Sequence, residues 1–195
     1  MNTPIKAWHF IHNDFTIKTS SMKRPLKVHQ GQVLRHRGPL ELCKRGLHAS
    51  IKPIDAIYYA PGSVVCRVEC SGDVIHDEDK LVCSRKRVLW VKNAERTLHE
   101  FAIRCAEEAL KKVDNPDPRV LEALRVKKLW LDGKVTDEEL KAARYAARSA
   151  AGYAARSAAI DAAWYAAWYA AIEAAQSAQN EELERRLLKL EKAQR

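Results

Sequence analysis

Acidic residues are scarce at the start of this chain. Residues 1–54 hold ten lysines and arginines but only two acids, Asp14 and Glu41. The remainder nearly balances, so most of the net charge of +9 sits in the first quarter. Such asymmetry points to an anionic partner: nucleic acid, a nucleotide or an acidic protein surface. A basic surface that is merely solvated reads equally well. Long apolar runs are missing too. None reaches the roughly 18 residues that a membrane span requires, and no apolar segment follows Lys6 as it would in a secretory leader. The expectation is no membrane partner and no export. The five cysteines, Cys43, Cys66, Cys70, Cys83 and Cys105, form no C-x-x-C pair. An odd number without zinc spacing reads as reduced core thiols in an intracellular protein. Helix-turn-helix, zinc-finger, RNP and KH signatures are absent, which leaves nucleic acid a weak partner class.

The hydrophobic pattern divides the chain. Residues 1 to about 92 read as β-rich. AWHFIH (7–12) and DFTIK (14–18) predict a hairpin around Asn13 and Asp14. A short strand is expected near Val33 and Leu34. In SVVCRVEC (63–70), Val64, Cys66, Val68 and Cys70 share one face, and Val65, Arg67 and Glu69 the other. Ser71-Gly72-Asp73 reads as a turn. LVCSRKRVLWVK (81–92) is a further strand whose basic centre, Arg85, Lys86 and Arg87, stands ahead of Trp90, a pattern that can meet a nucleic-acid backbone. Helices take over from about residue 94, where Leu98, Phe101, Ala102, Cys105, Ala106 and Leu110 recur at helical spacing. DNPDP (114–118) ends that helix. Asp117 can cap the next, with Pro118 at its first position and Gly133 at its end. Thr136 and Glu139 form a capping box for a third. The expected class is α+β: a basic domain over 1–113, a connecting helix over 114–135, and a long alanine-rich extension over 136–195.

That extension has an unusual period. From Ala142 to Ala175, 18 of 34 residues are alanine, in the pattern A-A-x-x. Unbroken to the end, such a helix would span about 90 Å, with Gly152 and Asn180 as its weak points. A four-residue repeat drifts around the helix, so a steeply crossing or right-handed partner suits it better than a straight one. Ile160, Trp164, Trp168 and Ile172, with Tyr165 and Tyr169 beside them, predict burial against the N-terminal domain or a second copy. Leu183, Leu187 and Leu190 repeat at coiled-coil spacing. Homo-oligomerisation through this helix is one expectation.

The densest set of signals is RGLHASIKPIDAIYYAPG (45–62). Gly46 permits an unusual backbone. Leu47 and Ala49 point one way and His48 and Ser50 the other on a short strand. Ser50 reads as the cap of a helix carrying Pro53, Asp55, Tyr58 and Tyr59, and Pro61-Gly62 stops it. Lys44, Arg45, His48 and Lys52 then surround a helix start whose free N–H groups attract anions. A capped surface turn with solvated charges explains the same residues. No metal or cofactor is expected. His9 and His12 lie three apart on a strand and face opposite sides, and His76-Asp77-Glu78-Asp79 reads as an acidic turn. No serine–histidine–acid set is visible, and Glu95, Glu100, Glu107 and Glu108 show no general acid/base pattern.

At GLHAS…DAIYYAPGSVVCRVECSGDVI…DEDKLVC…RVLWV the sequence resembles a family of small, uncharacterised phage- and prophage-encoded proteins, over about residues 20 to 110. Members often end in alanine-rich repeats with scattered Trp, Arg and Asp. The resemblance implies a phage accessory protein in bacterial cytoplasm. The order glycine–hydrophobic–x-x-serine, tyrosine helix and strand is also similar to the middle of ADP-ribosyltransferases of the poly(ADP-ribose) polymerase type. That similarity implies a nicotinamide-type pocket at Ser50 and Tyr58 or Tyr59, with His9 from an earlier strand. Phe10 stands where that family has glycine, and the resemblance does not place its catalytic glutamate on this sequence.

Three functions are therefore expected to compete. The leading one is a binder, without catalytic residues, that sequesters an anionic nucleotide signal of bacterial defence through Lys44, Arg45, His48, Ser50, Lys52, Tyr58, Tyr59 and His9. The second is an ADP-ribosyltransferase-like enzyme acting on a host protein. The third is an oligomeric inhibitor that docks on a host protein or nucleic acid.

Overall fold

The computed structural model describes residues 3–18, 24–158 and 165–192, with side chains described outside 148–176. The chain is of the α+β class, with a β-rich N-terminal region followed by helices. It forms two compact units. One comprises residues 1–95 together with 176–195, the other residues 96–175.

The first unit is organised by a long hairpin. Strands β6 (Val64–His76) and β7 (Leu81–Asn93) run antiparallel through thirteen residues each. Alternating Val and Cys on β6 supply one face, as the sequence predicts. Strand β1 (Ile5–Ile11) pairs along β6 from Ile5 opposite Cys70 to Ile11 opposite Val64. On the far edge of β7 lie β4 (Val33–Arg35), opposite 85–87, and β5 (Leu47–Ala49), opposite 81–83. Ser50 then exchanges backbone hydrogen bonds with Trp8, at 2.7 and 2.9 Å. That bridge joins β5 back to β1, so β1, β6, β7 and β5 close into a ring. The interior holds Ala7, Ile11, Ala49, Val64, Cys66, Val68, Cys70, Leu81, Cys83 and Val88.

Two sequence expectations fail here for physical reasons. The β1 chain does turn after His12, through Phe15 N–H to His12 O and His12 N–H to Thr16 O. The following strand β2 (Thr16–Ile17) nevertheless pairs with β3 (Leu26–Lys27), not with β1. Both edges of β1 are already taken, by β6 and by Ser50. Ser71-Gly72-Asp73 is no hairpin turn either. Gly72 (φ +79) lies at a register shift within β6, where Asp73 N–H donates to Ser84 Oγ, and the strand continues to His76. The true turn is 77–80, closed by Asp77 N–H to Lys80 O.

The opposite face of β1, β6 and β7 carries Trp8, Phe10, Val65, Arg67 and Trp90, and it is covered. Helix α5 (Tyr165–Lys192) supplies the cover with its C-terminal stretch. Leu183 and Leu187 are fully buried there. Asn180 precedes them, its Oδ1 accepting from Ile54 N–H at 3.3 Å, and Glu184 stands between them, 3.8 Å from Arg67. The Lys92 ammonium donates to the Leu190 and Glu191 carbonyls and so caps the helix end, where negative dipole accumulates. The leucine repeat of the tail is thus engaged within its own chain. Backbone helix passes through Gly152 in α4 (Asp137–Ala158) and through Asn180 in α5. Continuity between the two helices, and the burial of Ile160, Trp164, Tyr165, Trp168, Tyr169 and Ile172, lie outside the described residues and side chains.

The second unit is helical. Helix α2 (Glu95–Leu110) precedes α3 (Pro118–Leu131), which starts as its sequence says: Asp117 accepts from Arg119 N–H at 2.9 Å, with Pro118 in the first turn. Gly133 (φ +67) ends it. Thr136 and Glu139 form the capping box of α4, at 2.7 and 3.2 Å. Asp137 also accepts from the Trp130 indole at 2.6 Å, tying the two helices of this hairpin together.

Gly46 enters β5 at φ +122, and a Cβ there would press into the Val82 and Leu40 side chains. Gly46→Ala is expected to lower the unfolding free energy by about 2–3 kcal/mol through strain plus overpacking. Denaturant melts should show a lower midpoint with an unchanged slope.

Candidate functional site

The residues singled out in 44–59 separate into an inner and an outer group. The inner group gathers where β5 meets β1 and β7. Ser50 is 3% exposed, its backbone committed to the bridge with Trp8. It does not cap α1 (Pro53–Tyr58). Lys52 occupies the cap position and makes no side-chain cap bond, and Asn180 takes the free N–H of Ile54. Proline at the first helical position has no N–H to offer, and the helix has only six residues. The start of α1 is therefore no anion pocket, which corrects the reading of Ser50 as a helix cap.

His48 turns to structural work. Its Nε2 accepts from Cys43 N–H at 2.9 Å, and the chain there doubles back, with Cys43 at φ +64 and Glu41 bridged to Arg45. His9 keeps part of its surface, but its ring lies among desolvated groups with Lys86 and His48 as charged neighbours. Burial first, then these two groups, hold the His9 imidazole well below its ordinary value. His48 is lowered for the same leading reason, with Lys86 and Lys80 adding to it. The charged side chains acting on both rings are cationic or imidazole.

Lys86 is the residue the sequence reading misplaced. It stands between two exposed-side arginines on β7, yet it is 2% exposed. Period-two alternation sends Arg85 and Arg87 outward and Lys86 inward, opposite Cys70. Its ammonium donates to the His48 carbonyl. Burial pulls its pKa down, opposed by the nearby thiols of Cys70, Cys83 and Cys66. Desolvation pushes Cys66 up to about 12. Cys70 is raised by its hydrogen bond to Cys83, and that same bond, with Lys86 behind it, brings Cys83 down to about 7. Among the described residues no group of three or more His, Cys, Asp or Glu is placed to hold a metal ion.

The outer group is exposed. Lys44 pairs with Glu41 at 2.6 Å, while the side chains of Arg45 and Lys52 are solvent-facing. Tyr58 is 83% exposed and meets Tyr59 edge to face, with ring centroids 5.3 Å apart. The Tyr59 hydroxyl donates to Asp79 and accepts from Lys80 at 3.0 Å, and Lys80 also lies 3.6 Å from Asp77. The acidic turn His76–Asp79 thus anchors a tyrosine and a lysine. Ile51 stands exposed at the start of the same segment. The Arg85–Lys86–Arg87 and Trp90 pattern does not form one nucleic-acid surface, because Lys86 and Trp90 are both buried.

Fold and site together define a closed antiparallel β unit, backed by a helix, that presents tyrosines and cations beside a buried lysine–histidine–cysteine interior. Residues 5–100 match a family described as a domain of unknown function (DUF7666). The match covers the strands of this unit. No curated protein and no solved structure matches the chain.

The inner histidines make stability depend on pH. The unfolded chain takes up a proton on His9 near the ordinary value of about 6.5, whereas the folded chain keeps the ring neutral to lower pH. Stability should therefore fall on acidification below that value, by up to about 1.4 kcal/mol per pH unit from His9 alone. Denaturant melts at pH 7, 6 and 5 should show the fall, and His9→Gln should flatten it.

Proposed function

We propose that the β unit binds an anionic, nucleotide-type ligand without turning it over, at the surface formed by Tyr58, Tyr59, Lys44, Arg45 and Lys52. One observation carries this reading. Ile51, Tyr58 and Tyr59 are exposed large side chains within nine residues, framed by cations that the fold does not need for its core. An aromatic ring offers a stacking face to a base, and ammonium and guanidinium groups offer charge-assisted hydrogen bonds to phosphate. His48, Ser50 and His9 lie behind this surface and hold its shape. Among the described residues, the charged side chains acting on the two histidines are cationic or imidazole, which suits anion binding better than proton transfer. In its biological setting we infer a phage accessory protein of the bacterial cytoplasm that sequesters a nucleotide signal of host defence.

Calorimetry with cyclic dinucleotides and ADP-ribose derivatives tests the reading. One of these should bind with a single saturable heat and be recovered intact after denaturation. Tyr58→Ala and Arg45→Ala, both at exposed positions, should each weaken binding by about tenfold, or roughly 1.4 kcal/mol. No heat with any of the panel would sink the proposal.

A second reading, an ADP-ribosyltransferase-like enzyme, draws on the meeting of His9, His48 and Ser50 at the β1–β5 seam. It requires nicotinamide release from NAD with host lysate, lost in His9→Ala. NAD left intact after long incubation would exclude it.

A further inference from the structure

The face opposite the interior cluster carries an electrostatic irregularity. Trp8, Arg67 and Trp90 stand side by side across three strands, Trp8 opposite Arg67 and Arg67 opposite Trp90. The Arg67 guanidinium carbon lies 4.3 Å from the Trp8 ring centroid, and the two indoles meet edge to face at 5.7 Å. Both tryptophans are almost fully buried. Yet Trp8 Nε1, Trp90 Nε1 and Arg67 Nη1 are buried donors with no hydrogen-bond partner among the described residues. Native proteins leave few such groups, because a buried donor without a partner forfeits the hydrogen bond it had in water. Three in one row, all donors, one of them cationic, describe the complement of an oxyanion.

The charge balance agrees. Two carboxylates of α5 act on Arg67: Glu184, through Nη2 at 3.8 Å, beyond hydrogen-bonding distance, and Glu191 at longer range. Its other arm, Nη1, has no hydrogen-bond partner among the described residues. Indole N–H groups donate and never accept, and a guanidinium has only donors. The group that satisfies all three must therefore be an acceptor with several lone pairs, and negative charge suits the guanidinium best.

We propose that the Trp8–Arg67–Trp90 row, beneath the C-terminal stretch of α5, is a binding site for a small oxyanion of the carboxylate or phosphate class, which competes with Glu184 for Arg67. The site lies on the other side of the sheet from the interior cluster and shares no residue with the Tyr58 surface. The anion completes the hydrogen bonds of the indoles and takes the arm of Arg67 that Glu184 leaves free. Because Glu184 belongs to α5, ligand and helix end compete through one guanidinium.

Proton–nitrogen correlation spectra of the full chain, titrated separately with inorganic phosphate and with acetate, test this. The five indole signals are resolved by single Trp→Phe substitutions, with Trp130, Trp164 and Trp168 as internal controls. The signals of Trp8 and Trp90 should move together and saturate with at least one anion, and the preferred anion distinguishes the two sources. Glu184→Gln should lower the half-saturating concentration several-fold. Arg67→Lys, which keeps the charge but lacks the second arm, should raise it about tenfold. Indole signals unmoved by both anions, or equal movement in Arg67→Lys, would overturn the proposal. An unchanged half-saturation in Glu184→Gln would overturn the competition.

Discussion

Everything in the β unit hangs on the pairing of β6 with β7. Its two strands are the longest of the unit, and each outer strand finds its register on one of them. β1 reads β6, while β4 and β5 read successive stretches of β7. The hairpin is not straight, and the two register shifts are what make closure feasible. A bulge adds local twist and bends a strand. With shifts at Arg67/Val68 and at Ser71/Val74, the hairpin curls far enough for β5 to reach β1 through the Trp8–Ser50 bridge. Closure removes sheet edges, and it also creates a buried inside that contains a lysine.

That lysine explains the chemistry of the interior. An ammonium taken out of water needs compensation, and the described neighbours of Lys86 offer a backbone carbonyl and three thiols in place of a carboxylate. The cysteines are therefore more than small apolar filler. They are the polarizable groups on which the buried charge rests, and Cys83 is the one whose acidity responds. Burial first, and the charge of Lys86 after it, lower the pKa of both His9 and His48. Polar groups here stabilise one another through partial charges, while the tyrosine and lysine side chains at the rim stay exposed.

Local rules were legible in the sequence and distant ones were not. Asp117, Pro118, Gly133, Thr136 and Glu139 act within a few residues of themselves, so helix ends could be read directly. The alternation of 64–70 gave both faces of β6. Ser50 misled because a serine before a proline-started helix has the look of a cap, while its backbone was already held by a strand more than forty residues away. Gly72 misled because a bulge and a turn use the same residue type. Lys86 was recoverable: alternation alone sets it opposite its arginine neighbours, but three adjacent cations read more readily as one surface. The leucines at 183, 187 and 190 could not be assigned, since a coiled-coil seam and a helix docked on a sheet share that spacing. Within the candidate site, the inward turn of His48 was not legible, because it depends on a tight bend at Cys43.

The return of the last helical stretch to the first unit has a temporal meaning. The matched family region ends at residue 100, but the cover that buries Leu183 and Leu187 on the second face of its sheet comes from residues 176–192. At ordinary synthesis rates of about 5–20 residues per second, the intervening eighty or so residues take roughly 4–16 s to emerge. The contacts of Arg67 with Glu184 and of Lys92 with Leu190 can form only after that interval, so this face of the sheet is completed late in synthesis.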